Sequence, residues 1–244
     1  MTSEAPAEMT PVARFEDAWS LAHDIPGWLT EDQARLLWGS ARALPARARV
    51  LEIGSYQGRS TVVLASALAL TDGELVAVDP FVDDWKYGSP QTRGRFEAHL
   101  ARAGVAGRVR LVAEYSTRAR PTWSERLDLL FIDGKHDVVT VLDDLRWTAH
   151  LTPGSRVLIH DCFSSVGVTL GVLALLRPHA PLRYAARTGS LAVFEAASPT
   201  ARDRLRLVGQ LPWWLRNIGL KVLLRLRLGT LARRLGHDSP YDPY

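Results

Sequence analysis

Two apolar runs in this chain end on ionisable groups: "LLFIDGKH" at residues 129–136 and "RVLIHDC" at residues 156–162. Continuous apolar runs of this length read as strands covered on both faces. Asp133 and the pair His160–Asp161 therefore sit at strand ends, with His136 three residues past Asp133. If the two strands are parallel neighbours, about 4.8 Å apart, the two aspartates meet at one rim. Adjacent carboxylates repel unless a proton or a cation lies between them, and hard oxygens favour Mg²⁺ or Mn²⁺. Such an ion can hold a hydroxyl and lower its pKa. His136, with an ordinary imidazole pKa of ~6.5, suits a general base at neutral pH. Two readings of His160 stay open. It is a metal ligand, which suits Mn²⁺ or Fe²⁺ better than Mg²⁺, or a strand-end histidine bonded to backbone.

The rest of the chain must bring these residues together. "RVLEIG" (49–54), "ELVAVD" (74–79), "RVRLVA" (108–113), "LDLLFID" (127–133) and "SRVLIHD" (155–161) are short apolar runs, separated by helical patterns near 58–70, 91–103 and 137–150. Strand and helix in alternation predict an α/β, doubly wound, mostly parallel Rossmann-like sheet. A helix near 165–176 follows, then "LRYAAR" and "SLAVFEA" joined by Thr188-Gly189, a hairpin signal that completes seven strands with an antiparallel pair. Ahead of the sheet, "LTEDQARLLWGSARAL" predicts a helix with a Thr30–Gln33 capping box. The organisation expected is an N-terminal lead and helical cap (1–45), a catalytic domain (46–197) and a basic helical extension (198–244).

In such sheets, ligands lie beyond the carboxyl ends of the strands. "LEIGSYQGRST" places Glu52 at the end of the first strand, Gly54 in the turn and Gly58 at the start of a helix, with Arg59, Ser60 and Thr61 in its first turn. Glycines allow close backbone approach, and a helix N-terminus offers N–H groups to an anion. The Gly-x-x-x-Gly spacing is looser than a dinucleotide fingerprint. Asp79, at the end of the second strand, stands where an acid commonly holds ribose hydroxyls.

Composition narrows the class. The chain is 47% hydrophobic and 23% charged, with a formal charge of +4. Outside Leu211–Gly236, which holds six basic residues and no acid, the balance is near neutral, so nucleic acid is not an expected partner. A single cysteine, Cys162, excludes an intrachain disulfide or a cysteine-based zinc site and fits a reducing compartment; it reads as a small buried filler. The first residues are acidic and Pro/Ala-rich without an apolar core, and no uncharged stretch reaches spanning length. A cytoplasmic protein is expected, with peripheral contact at the inner membrane surface admitted.

The pattern "LEIGSYQGRST … VAVDP … LLFIDGKH … LTPGSRVLIHD" resembles class I S-adenosylmethionine-dependent methyltransferases. More narrowly it is similar to the metal-dependent branch with macrolide-sugar O-methyltransferases and cephalosporin-hydroxylase-like proteins, over roughly residues 26–195. The resemblance implies an S-adenosylmethionine site at Glu52, Gly54, Ser55, Gly58, Ser60, Asp79, Ser116 and Asp133, with Glu114 an alternative to Ser116 near the adenine. It implies Asp133 and Asp161 as metal ligands, joined by His160 in the first reading above, with His136 as base and a small hydroxylated acceptor such as a sugar. Relatives often carry an acid where this chain has His160, so either the metal differs or His160 is not a ligand.

Two rivals follow from the same residues. His136 and His160 with one aspartate can imitate an iron site, giving an iron-dependent hydroxylase-like enzyme. The segment 211–236 can make a catalytically silent membrane-surface binding protein. As a single helix its charges miss one clean face, with Arg216, Arg227 and Arg234 clustered and Lys221 and Arg225 nearly opposite. Packing on the domain or in a homo-oligomer is the competing expectation. Asp143 and Asp144 are expected to be solvated or capping, and the loop 80–96 (Asp83, Asp84, Trp85, Tyr87) to cover substrate or anchor itself.

Overall fold

A computed structural model describes residues 14–82, 89 and 91–237. The lead at 1–12, the loop residues Asp83, Asp84, Trp85 and Tyr87, and the tail beyond 237 lie outside the described residues. The chain divides into two compact units, one ending at Leu130 and the other beginning at Phe131.

The first unit runs α1 (Phe15–Ala22), α2 (Glu31–Arg42), β1 (Arg49–Ile53), α3 (Arg59–Ala69), β2 (Glu74–Val78), α4 (Thr92–Arg102), β3 (Val109–Val112), α5 (Ser116–Ala119) and into β4 (Leu127–Ile132). The second runs on through α6 (Val138–Asp144), β5 (Leu151–Ile159), α7 (Val166–Leu173), β6 (Arg183–Thr188), β7 (Leu191–Glu195), α8 (Ala201–Val208), α9 (Leu211–Arg225) and α10 (Gly229–Arg234). The described strands form one seven-stranded sheet, ordered β3-β2-β1-β4-β5-β7-β6. β1 pairs parallel with β2 and β2 with β3, whereas β7 pairs antiparallel with β5 and β6. This is the mostly parallel, doubly wound sheet with its closing hairpin.

In the first unit α3 is buried along nearly its whole length, from Ser60 to Leu68. A helix apolar on all sides needs cover on all sides, and α1, α2 and β2 all pack on α3. α2 begins as expected: Gln33 N donates to Thr30 Oγ1 at 3.4 Å and Thr30 N donates to Gln33 Oε1 at 3.0 Å. α1 was not expected from the sequence, although Phe15, Ala18 and Ala22 form its buried face at helical spacing.

Arg59, at the start of α3, fixes this cap. Its guanidinium donates to the carbonyls of Ile25 (2.6 Å), Gly27 (2.8 Å), Leu29 (3.0 Å) and His23 (2.7 Å). The expected anion-binding turn thus has its cation committed to backbone. Arg59→Ala is expected to cost ~2–4 kcal/mol, since bonds from a charged donor contribute ~1.5–3 kcal/mol each and water recovers part. Hydrogen exchange should then loosen over residues 14–29; unchanged protection there would rule this role out.

In the second unit β5 starts earlier than the sequence suggested. The "LTPG" stretch, ahead of the strand expected at 155–161, is extended, with Gly154 at φ 85° donating its N–H to Ala196 O at 3.0 Å. The helix expected over 137–150 is α6 followed by a tighter 3₁₀ stretch at Leu145–His150, and Asp144, expected to be solvated or capping, is buried at the end of α6. Trp147, Phe131, Phe163 and Phe194 are fully buried in this unit.

Candidate active site

The glycine turn of the first unit is built around two carboxylates. Gly54 (φ 85°) follows β1 and Gly58 (φ 94°) caps α3, both in left-handed conformations that favour glycine. A Cβ on Gly58 would meet Phe96 Cδ2 at 3.1 Å. Glu52 is fully buried beneath this turn. Its oxygens accept from Ser60 Oγ at 2.5 Å, Thr61 Oγ1 at 2.6 Å and Ser55 Oγ at 2.9 Å. A buried carboxylate is tolerable only when it is bonded in this way.

Asp79, beyond β2, reaches the other side of the turn. Its Oδ2 accepts from the backbone N–H of Ser55 (2.8 Å) and Tyr56 (2.9 Å), and its Oδ1 from Phe81 N (2.7 Å). An ionised carboxylate offers about four acceptor sites, so three N–H bonds leave capacity for a ligand hydroxyl. Tyr56 itself is held at φ 47°, and such unusual backbone persists where its surroundings fix it. Ser116 lies buried at the first residue of α5, after β3, while Glu114 Oε1 accepts from Tyr115 N at 2.8 Å. Of the residues expected to hold a cofactor, Glu52, Gly54, Ser55, Gly58, Ser60 and Asp79 form one connected turn.

The second unit carries the other cluster. Asp133 follows β4, and His160–Asp161 follow β5, whose extension is set by His160 N donating to Ile132 O at 2.9 Å. His160 Nδ1 lies 3.2 Å from Asp133 Oδ1 and 3.4 Å from Asp161 Oδ2. His136 Nε2 lies 3.1 Å from Asp161 Oδ2 and 3.9 Å from Asp133 Oδ1. Side-chain exposure rises from 1% at His160 and 6% at Asp161 to 29% at Asp133 and 44% at His136. His136 is therefore the member that an incoming molecule meets.

Charge and burial oppose each other here. Burial disfavours the charged form of Asp133, but His160 and His136 outweigh it and hold the carboxyl at about 2. Burial likewise works against protonated His160, yet Asp133 and Asp161 raise it well above the ordinary imidazole value. His136 follows the same pattern and is raised by Asp133 and Asp161.

The donor set also fits a divalent ion. Asp133, His160 and Asp161 each offer one ligand atom within 4.8 Å of the others. Asp161 Oδ1 is buried, and no hydrogen-bond donor among the described residues reaches it. A cleft of about 10 Å³, room for one water-sized sphere, is lined by Asp133, Gly134, His136 and His160 among others.

Sequence reading missed the residues that hold this cluster in place. Asp161 (φ 56°) and Phe163 (φ 59°) are left-handed, which Asp tolerates and Phe rarely adopts. Phe163 is anchored through its N–H to Thr169 Oγ1 (2.9 Å) and through its carbonyl to Nδ2 of the fully buried Asn217 (2.9 Å). Gly167, in α7, packs so closely that a Cβ would lie 2.1 Å from His136 O. A glycine inside a helical pattern was the one available signal. Cys162 is buried, and burial pushes its thiol well above the ordinary value, in keeping with an inert filler.

The sheet order, mostly parallel with an antiparallel closing hairpin, is that of the Rossmann-like methyltransferase fold. Residues 51–162 match a protein-family model described as a methyltransferase domain. Among solved structures it is similar to cofactor-bound Rv0187 from MTB (24% identity, TM-score 0.57, covering 75% of this chain and 87% of that one). It is also similar to the O-methyltransferase TomG from Streptomyces achromogenes, involved in tomaymycin synthesis and solved with SAM (22%, TM-score 0.56, 75% and 89%). A third is the SAH-bound methyltransferase PaMTH1 from Podospora anserina (17%, TM-score 0.57, 75% and 87%).

Proposed function

We propose that this chain moves a methyl group from S-adenosylmethionine to a hydroxyl of a small acceptor, a sugar, glycosylated metabolite or similar polyol, with divalent-metal assistance. The observation that carries the metal-assisted form is the convergence of Asp133, His160 and Asp161 within 4.8 Å. The SAM and SAH bound to TomG and PaMTH1 support the donor. In this reading residues 46–197 are the catalytic body, 1–45 an N-terminal lead and helical cap, and 198–244 a basic helical extension.

The backbone at Gly54–Gly58 would hold the methionine part of the donor, Asp79 would accept from its ribose hydroxyls, and Ser116 would serve its adenine. Glu52 acts from below, holding the turn through its three hydroxyl partners. Asp133, His160 and Asp161 would hold the ion, and the chemistry it would supply is polarisation of the acceptor hydroxyl. His136 Nε2 takes the hydroxyl proton, and the carboxylates beside it stabilise the imidazolium formed. A bound donor would supply an electrophilic sulfonium methyl, the acceptor oxygen forming the new C–O bond as the methyl–sulfur bond breaks and the thioether leaves, a step that would ask mainly for alignment.

The test is calorimetric titration with S-adenosylmethionine, followed by mass spectrometry of hydroxylated acceptors for a gain of one methyl group with Mg²⁺ or Mn²⁺. Absence of donor binding would end the proposal. His136→Ala is expected to lower kcat by ~10²–10⁴-fold while donor affinity holds; wild-type turnover in that variant would remove the base. A second reading rests on both imidazoles lying within 3.4 Å of Asp161 Oδ2, an arrangement that two-histidine, one-carboxylate iron chemistry also uses. Iron-dependent oxygen uptake without methyl transfer would favour it.

A further inference from the structure

We propose that α9 and α10 form a docking face for a bilayer surface rich in anionic lipid headgroups, independently of the catalytic reading above. The sequence from Leu211 to Gly236 contains Arg216, Lys221, Arg225, Arg227, Arg233 and Arg234 and no acid. The segment is not one continuous helix, since α9 ends at Arg225 and α10 begins at Gly229. A single helical wheel over 211–236 therefore misplaces its charges.

α9 turns Asn217 and Leu220 inward, both fully buried. It leaves Leu215, Val222 and Leu226 outward at 64%, 50% and 63% exposure. At 3.6 residues per turn these three lie within about 40° of one another around the helix axis. Leu228, Leu231 and Leu235 add exposed apolar surface on and beside α10. Arg216 joins the helices by donating to Leu235 O at 2.7 Å and Gly236 O at 3.2 Å, which ties the end of α10 to α9. Asn217 on Phe163 O and Arg187 over the Trp213 ring at 3.8 Å fix α9 to the body of its unit.

Scattered exposed leucines need no explanation, but a set on two joined helices rimmed by cations does. A second copy meeting this face through a two-fold axis would oppose six cations with six cations. Nucleic acid would use the arginines and leave the leucines in water. An anionic bilayer satisfies both, with leucines entering the acyl boundary and guanidinium groups remaining among the headgroups. Among the described residues no helix is long and apolar enough to cross a membrane, so the face lies on the surface.

The experiment is co-sedimentation of the full chain with phosphatidylcholine vesicles, alone or with about a third phosphatidylglycerol. Binding should be at least ~10-fold stronger to the anionic vesicles and should weaken with salt. Arg225→Gln and Arg234→Gln should each lower it by about fivefold. Leu215→Ser with Leu226→Ser should lower it ~10-fold or more at an unchanged melting temperature. Equal binding to both vesicle types would overturn the proposal. So would a leucine variant that binds fully while the arginine variants do not, which would mark a general polyanion site. A leucine variant that melts early would show these side chains to be internal, with the same consequence.

Discussion

Asp161→Asn is expected to weaken Mn²⁺ or Mg²⁺ binding by at least ~100-fold, the upper end of what loss of a supporting partner causes, since here the ligand itself is changed. Methyl transfer should fall with it. The substitution keeps the side chain's shape and removes its charge, from a carboxylate that is 6% exposed and has one oxygen that no donor among the described residues reaches. Metal chemistry and a plain ion-pair network predict different melting behaviour. If the cluster binds an ion, Mn²⁺ at ~100 times its Kd adds ~2.7 kcal/mol to the wild-type chain. At ~2–4 °C per kcal/mol this raises Tm by about 5–10 °C, and the variant should show none of that rise. If protons alone balance the cluster, Mn²⁺ moves neither melt. The variant then loses ~3–5 kcal/mol from leaving His160 buried with one partner fewer. A wild-type melt indifferent to both metals would remove metal assistance.

Strand ends were legible because a continuous apolar run that stops on an acid can be read without knowing its neighbours. Glu52, Asp79, Asp133 and Asp161 were all found in this way. What each carboxylate does there depends on donors that arrive from elsewhere. Glu52 looks like a binding acid in sequence, yet three hydroxyls from the next nine residues close over it. Asp79 takes N–H bonds from a turn more than twenty residues away. Asn217, 54 residues from the carbonyl it holds, has no local pattern to announce it. Gly167 matters through a close approach that no spacing rule encodes. α1 escaped notice because its buried face is only Phe15, Ala18 and Ala22, too little apolar surface to stand out before the helix it covers is known.

Glu52 shows best how to separate holding a site from touching a ligand. Glu52→Ala should destabilise the chain by ~2–4 kcal/mol: three bonds to a charged acceptor are lost, offset partly by no longer burying a charge. Tm should fall by about 5–15 °C. Ser60 and Thr61 lie in the first turns of α3, where their hydroxyls can turn back to helix carbonyls, which keeps the loss below three full bonds. Donor affinity should fall in the same variant, because the Gly54–Gly58 backbone loses its floor. Glu52→Gln is the informative comparison. It keeps the length and one good acceptor, and its amide can donate to a hydroxyl, so the cost should drop to ~1–2 kcal/mol with donor affinity nearly restored. A carboxylate in direct contact with the donor would behave in the opposite way, with melting unchanged and affinity lost in the Gln variant. Thermal melts and calorimetry on the same two proteins therefore decide whether this acid supports the turn or grips what the turn holds.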